Sequence, residues 1–428
     1  PDQHGDWLNQ RNEDFKQYIV LGDKKHQEAK VLFQNYSAGV KTQRDVWCYN
    51  GSYSAIANNM QRMIAFYNAE VERLQQLGPS LNEASIDQFI NTDPRKISWS
   101  RALKQDLLKQ RQYSYDEQAL VASLYRPFTK QWLYFNRRFN EMVYQIPRIF
   151  PNTTVNNRII CITGLGTPKD FSVLISSVIP DIQLLANGQG FPLYLYEEAP
   201  PTDALGLYDK QKEAWQRKDA ITDAGLQYFQ AAYPQQQISK EDIFYYVYGL
   251  LHSPAYRERF ADNLSKELPR IPCVKQAADF WAFSQAGREL ADLHIDYEQV
   301  EPYAAQIEIS GQVHAQTYRV EKMKYGKQRL NGKLVDDKTT LIYNNQITVS
   351  GIPLEAYEYV VNGKAALDWV VERQAVKTDK DSGIVNDANA WANETMGDAK
   401  YPLELFLRVV TVSLETKRIV AGLPNLDI

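Results

Sequence analysis

The residues of this chain that could do chemistry are few and scattered. His4, His26, His252, His294 and His314 show no ligand-like spacing. His252 and His294 stand among apolar residues, where packing is the ordinary role. Cys48, Cys161 and Cys273 are odd in number, far apart and never arranged as CxxC. That spacing argues against a disulfide framework and a zinc site, and for a reducing cytoplasm. One nuclease-like pattern exists, Asp2 followed by Glu28 and Lys30. Metal-dependent nucleases use such an acid and a Glu-x-Lys pair to hold Mg2+ and activate water. Glu28 and Lys30 fall in a charged, helix-like stretch, however, which favours a solvated face. Gly164-Leu165-Gly166-Thr167-Pro168 reads as a turn. No GxxxxGK[ST] phosphate loop occurs. An adenine methyltransferase needs a glycine-rich cofactor loop and an Asn/Asp-Pro-Pro-Tyr/Phe segment to hold a flipped base; neither is present. The chain is expected to have no catalytic residues and no metal site of its own.

The elements that would position any site are mixed. Residues 1–90 read mainly as helix, with Ile56, Met60, Met63, Ile64, Phe66, Tyr67, Val71 and Leu74 at helical spacing. Gly78-Pro79 should end that run. Short strand-like runs follow at 133–135, 142–145, 158–163, 171–176 and 191–196, broken by prolines and glycines. A polar connector spans 200–212. Helices are expected at 222–233, 240–252, 256–267 and 277–298. Strand alternation returns over 305–352, with Gly326 read as a hairpin tip and Asn331-Gly332 as a further turn signal. Short helices close the chain at 365–374 and 401–416. The fold class is α+β: a helical connector (1–92), a mixed strand and helix region (93–235), a helical region (236–300) and a β-rich C-terminal part (301–428). No apolar run reaches the ~18 residues of a membrane span. The chain opens at Pro1 rather than Met and is expected to be part of a longer polypeptide.

Charge is unevenly spread. The window 95–158 carries 12 Lys/Arg against 4 Asp/Glu, in a chain whose net charge is −4. Eleven aromatic residues share that window. A basic stretch on an acidic body is compatible with docking one face on a polyanion.

Several strings, taken together and in order, resemble one family. They are Pro1-Asp2-Gln3-His4-Gly5-Asp6-Trp7-Leu8-Asn9-Gln10-Arg11, Leu21-Gly22-Asp23-Lys24-Lys25, and Tyr36-Ser37-Ala38-Gly39-Val40-Lys41-Thr42-Gln43-Arg44-Asp45-Val46-Trp47-Cys48-Tyr49-Asn50. Tyr125-Arg126-Pro127-Phe128 with Leu133-Tyr134-Phe135, Phe191-Pro192-Leu193-Tyr194-Leu195-Tyr196 and Tyr248-Gly249-Leu250-Leu251-His252-Ser253-Pro254-Ala255-Tyr256-Arg257 follow. Leu268-Pro269-Arg270-Ile271-Pro272 and Ser382-Gly383-Ile384-Val385-Asn386-Asp387 complete the set. It is similar to the C-terminal target-recognition region of type ISP restriction-modification enzymes and related large adenine methyltransferases.

The resemblance implies sequence-specific recognition of double-stranded DNA. Methylation, ATP-driven motion and cleavage would be carried out by methyltransferase, helicase and nuclease domains of the same polypeptide. S-adenosylmethionine, ATP and Mg2+ would serve those domains, in the cytoplasm, with no membrane involved. Phosphate contacts would set register and base-edge contacts would set sequence. The candidates for DNA contact are Arg126, Lys130, Arg137, Arg138, Arg148 and Arg158, with Lys322, Lys324, Lys327 and Arg329 around the expected Gly326 tip. Asn136, Asn140, Asn156 and Asn157 could read adenine. Arg44, Asp45, Tyr49 and Asn50 sit in one short turn. They form either a local Arg-Asp pair or a contact to the target nucleotide or the methyltransferase face. Two other classes stand beside this reading: a coupling module without base readout, and a metal-dependent nuclease fragment.

Overall fold

The computed structural model describes residues 11–25, 30–76, 85–198 and 215–428. Asp2, His4, His26, Glu28, most of the first family-like string, Gly78-Pro79 and the 200–212 connector lie outside the described residues. The architecture is mixed α+β, with several small sheets wrapped by helices. Among the described residues, no helix is long and apolar enough to cross a membrane.

Helix α1 (Tyr53–Gln75) begins where the Ser52 hydroxyl accepts the Ala55 N–H. Its stripe of Ile56, Met60, Met63, Ile64, Tyr67 and Val71 is buried, as the spacing predicts. The stretch before α1 differs from expectation, because between the short helical turns Glu13–Gln17 and Asp45–Cys48 its described residues are largely extended. Val31, Phe33, Val40 and Lys41 make backbone bridges to Val20, Ile221, Asp181 and Met142. Distant partners, invisible to local periodicity, hold this segment open.

Eight strands then build two four-stranded sheets. They are β1 (Ser37–Ala38), β2 (Tyr49–Asn50), β3 (Leu120–Arg126), β4 (Thr129–Tyr134), β5 (Ile159–Ile162), β6 (Val173–Ser176), β7 (Ile179–Pro180) and β8 (Gln189–Pro192). One sheet has the order β1-β8-β5-β6 and the other β2-β4-β3-β7. β5 and β6 are buried along their whole length. That explains why they read as continuous apolar runs rather than alternations. Residues 142–145 are not a strand. Tyr144 has φ 47°, and Gln145 caps a short helical turn that contains Pro147.

Helix α2 (Lys240–His252) opens on a reciprocal capping box between Ser239 and Asp242. It is buried from Ile243 onward and packs on α3 (Ala277–Ile295). The two backbones nearly touch. A Cβ at Gly287 would lie 1.8 Å from the Tyr245 carbonyl oxygen, and one at Gly249 would lie 2.2 Å from that of Phe283. The expected helix 256–267 is instead two short pieces, Pro254–Arg259 and Ala261–Leu264.

The C-terminal sheet runs β9-β12-β11-β10, from β9 (Gln306–Ile309), β10 (Lys324–Leu330), β11 (Lys333–Ile342) and β12 (Ile347–Ser350). The tip of the β10–β11 hairpin is not Gly326. Leu330 pairs with Lys333, which leaves Asn331 and Gly332 as a two-residue loop. Their φ values of 48° and 76° are the left-handed pair that such a turn requires. Gly326 lies within β10 at a register shift, pressed on Thr340. Helix α4 (Ala366–Arg373), the hairpin β13 (Val376–Thr378) and β14 (Val385–Asp387), and helix α5 (Tyr401–Ala421) complete the fold.

Candidate nucleic-acid interface

The Thr42–Asn50 turn is folded in, not displayed. The Thr42 hydroxyl donates to Asp45. Arg44 is buried and donates to the Phe139 carbonyl at 2.9 Å, while its Nε and Nη2 lack partners. Tyr49 is buried beside Ser123. Asn50 donates to the Val385 carbonyl at 2.9 Å, and the Gly51 N–H donates to Asn386 at 3.0 Å. The turn therefore meets the β13–β14 hairpin, more than 300 residues away in sequence. Of the four candidates here, Asp45 keeps a substantially exposed side chain.

Arg126 pairs with Asp181 at 2.7 Å and with Asp45 at 3.5 Å, and its guanidinium lies 3.9 Å from the Tyr125 ring centroid. Its side chain is 11% exposed and that of Asp181 is 2% exposed. Burial pushes the Asp181 carboxyl up to about 6, against the opposing pull of Arg126. Lys130 pairs with Glu298 at 2.6 Å, Arg148 with Glu197 at 3.1 Å and Arg158 with Asp292 at 2.9 Å. Much of the positive charge counted in the 95–158 window is thus matched by acids from elsewhere in the chain. Arg137 and Arg138 are exposed on the turn after β4, Arg138 with a loose 3.8 Å contact to Asp106. Two of the amides proposed as adenine readers are spent on backbone. Buried Asn140 bonds the Tyr134 carbonyl and the Asn136 N–H, and buried Asn157 bonds the carbonyls of Ile149 and Tyr194. Asn136 accepts from the Arg138 N–H, and Asn156 is exposed.

The β10–β11 hairpin is a projecting finger. Residues 327–334 are all exposed, and Lys327 pairs across the strands with Asp336. Lys324, Arg329 and Lys333 are exposed, and Leu330 and Leu334 are 58% and 66% exposed at its end. The base is anchored. Tyr325 donates to Asp368 at 2.7 Å, Lys338 reaches the same carboxylate at 3.0 Å, and Lys322 bridges to Ala375 by backbone. That bridge joins the finger to β13, and the hydrogen bonds of Asn50 and Gly51 join β14 to the Thr42–Asn50 turn. Two sets of candidates that sequence reasoning held apart, Lys322–Arg329 and Arg44–Asn50, therefore flank one hairpin.

Between the turn and the hairpin lies a cleft of about 310 Å3. Asp45, Tyr125, Gln131, Arg373, Lys377 and Asn386 are among its walls. Arg373, Lys377 and Gln131 were missed by sequence reasoning. The Ser382–Asp387 string marked the hairpin without giving it a role. Burial and the nearby Arg126 cation hold the Arg373 guanidinium below its ordinary range. Burial and Arg373 do the same to the Lys377 ammonium. Burial is the larger cause of both shifts, and the neighbouring cations add to it against the pull of Glu372.

Among the described residues, no three His, Cys, Asp or Glu side chains converge as a metal site. His294 accepts from or donates to Tyr248 at 2.6 Å and Thr416 at 2.8 Å inside the core. Burial pushes the Cys48 and Cys161 thiols up to about 12, away from nucleophilic thiolate.

A braced fold carrying a cationic finger beside a charged cleft defines a binding module. The chain belongs to the type ISP C-terminal specificity domain family, whose model matches residues 31–405. No curated protein sequence matches it. Among solved structures, it is similar to a nuclease-deletion mutant of the type ISP restriction-modification enzyme LlaGI in complex with a DNA substrate mimic. The identity is 37% and the TM-score 0.84, over 100% of this chain and 36% of that one. It is also similar to the ATP-dependent type ISP enzyme LlaBIII bound to DNA, at 35% identity and TM-score 0.83, over 100% of this chain and 25% of that one. The DrdV–DNA complex matches at 32% identity and TM-score 0.81, over 100% and 40%. The chain thus spans well under half the length of each of these proteins.

Proposed function

We propose that this chain is the DNA-reading module of a type ISP restriction-modification enzyme. It docks on double-stranded DNA through the β10–β11 finger and the rim of the adjoining cleft. The observation that carries this reading is the finger itself, with Lys324, Arg329 and Lys333 exposed around an apolar end in a member of the specificity-domain family. A two-stranded ribbon fits the major groove, where each base pair shows a distinct pattern. The cations would bind phosphates and set register. Membership alongside structures solved on DNA supports the same reading.

In this reading the module directs adenine methylation and restriction but performs neither. S-adenosylmethionine, ATP and Mg2+ are used by methyltransferase, helicase and nuclease parts of the same polypeptide, in the cytoplasm.

The test is selection from a random duplex library by the module joined to its methyltransferase. Enrichment of one sequence, lost when Lys324, Arg329 and Lys333 become Gln, is the expected result. Binding without any sequence preference would instead make this a coupling module.

A further inference from the structure

The cleft beside the finger holds cations that the fold does not satisfy. Arg373 ends α4 and pairs through Nη2 with Glu372 at 3.0 Å, but its Nε–H is buried without an acceptor. An unmet buried donor is costly, and a guanidinium more so. Lys377 is exposed on β13 and has no ion-pair partner among the described residues. The acids that share the lining are already engaged. Asp45 is taken by Thr42, Tyr125 and Arg126, and Asp379 accepts the Ser382 N–H and hydroxyl at 2.8 and 2.7 Å.

The character of the walls selects the ligand. A flipped base needs a free aromatic face to stack on. The Tyr125 ring is already packed by Tyr49, centroids 4.5 Å apart, and by the Arg126 guanidinium at 3.9 Å. An anion needs only the cations. The cleft also continues toward the finger. A second hollow shares Ala375 and Lys377 with it and includes Lys322 at the finger's base; its acids Glu321, Asp368 and Glu372 are paired with Arg319, Lys338 and Lys364. A backbone engaged by the finger could therefore run on to Lys377 and Arg373.

We propose that this cleft seats a DNA phosphodiester, held by Arg373 and Lys377, as a second anchor beside the finger. The proposal rests on the DNA-docking reading above. Its test uses the intact polypeptide that includes this chain, with Arg373→Gln, Lys377→Gln and the double variant. Affinity for the library-selected duplex and for a scrambled duplex is measured by anisotropy at several salt concentrations. Each lost phosphate contact should lower the slope of log K against log salt by about 0.9, equally on both duplexes. Lys275→Gln, which removes a surface pair with Asp427, should leave the slope unchanged. The exposed Lys377→Gln keeps the test valid should Arg373→Gln fail to fold. Absence of duplex binding by the unaltered protein would overturn the functional reading and the proposal together. Normal binding with an unchanged slope in Lys377→Gln and the double variant would overturn the phosphate seat alone. A loss confined to the selected duplex, with slope unchanged, would make the cleft a base reader and overturn it equally.

Discussion

At the scale of single residues, the distinction that matters is between cations the fold uses and cations it leaves free. Arg126 neutralises Asp181 inside the protein. Removing one partner of a buried pair strands the other, at a cost of about 3 kcal/mol or more. Arg126→Ala should therefore shift the urea midpoint strongly, whereas Arg329→Gln on the finger should not move it and should weaken DNA binding. An Arg126→Ala protein of unaltered stability would show that the pair is not structural. His294 gives a second test, by pH. Burial pushes its imidazole down to about 3, and the neighbouring His252 is also held well below its ordinary value. The unfolded chain takes up a proton near 6.5, where the folded chain refuses it. Stability should therefore fall as pH drops from about 6.5 toward 3. His294→Gln should flatten that fall in a series of urea melts. Asp181, raised to about 6, works in the opposite direction over part of this range. It is common to both proteins, so it cancels in their difference. An identical pH slope in both would refute the assignment.

At the scale of elements, α2 and α3 form the rigid centre and the finger is the exposed tool. Gly287→Ala would drive a methyl into the Tyr245 carbonyl, so the helices must part. A loss of about 3 kcal/mol is expected, read as a lowered melting temperature. Replacing Lys324, Arg329 and Lys333 with Gln should leave the melt within about 0.5 kcal/mol, since surface changes seldom exceed that. The same triple variant should lower the salt slope of DNA binding by up to about 0.9 per residue. Such elements were legible in proportion to how local their causes are. The range 240–252 was readable in full because its apolar run is unbroken and Ser239 and Asp242 stand together at its start. The finger was readable as a hairpin but not in register, because Gly326 and Asn331-Gly332 are both turn-like. Only the pairing of Leu330 with Lys333 decides between them. The basic window was readable as a count. Its partners Asp181, Glu197, Asp292 and Glu298 lie outside it, so the consumption of its charge was not. The cleft was illegible, since Asp45, Tyr125 and Arg373 share no local pattern.

At the scale of the whole molecule, the proposed site exists only when the chain is folded end to end. One wall of the cleft comes from Asp45 and Tyr49 and another from Arg373 and Lys377. Long-range ties across the whole fold hold these walls in place. Asn12 bonds Asn263, Asn50 bonds Val385, and Asn362 bonds Ser172. A continuous buried cluster includes Phe15, Tyr49, Phe191, Phe283, Leu341 and Ile419. Regions that share one core have little reason to melt separately, even in a chain of 428 residues. The expectation is a single calorimetric transition whose van't Hoff enthalpy matches its calorimetric enthalpy. Duplex binding should vanish across that same transition. Residues 301–428 expressed alone should retain the finger's sequence but lose the Asn50–Val385 tie and one cleft wall, and so bind DNA weakly. Two resolved transitions, with DNA binding surviving the first, would show instead that the finger and its sheet stand as an independent reader.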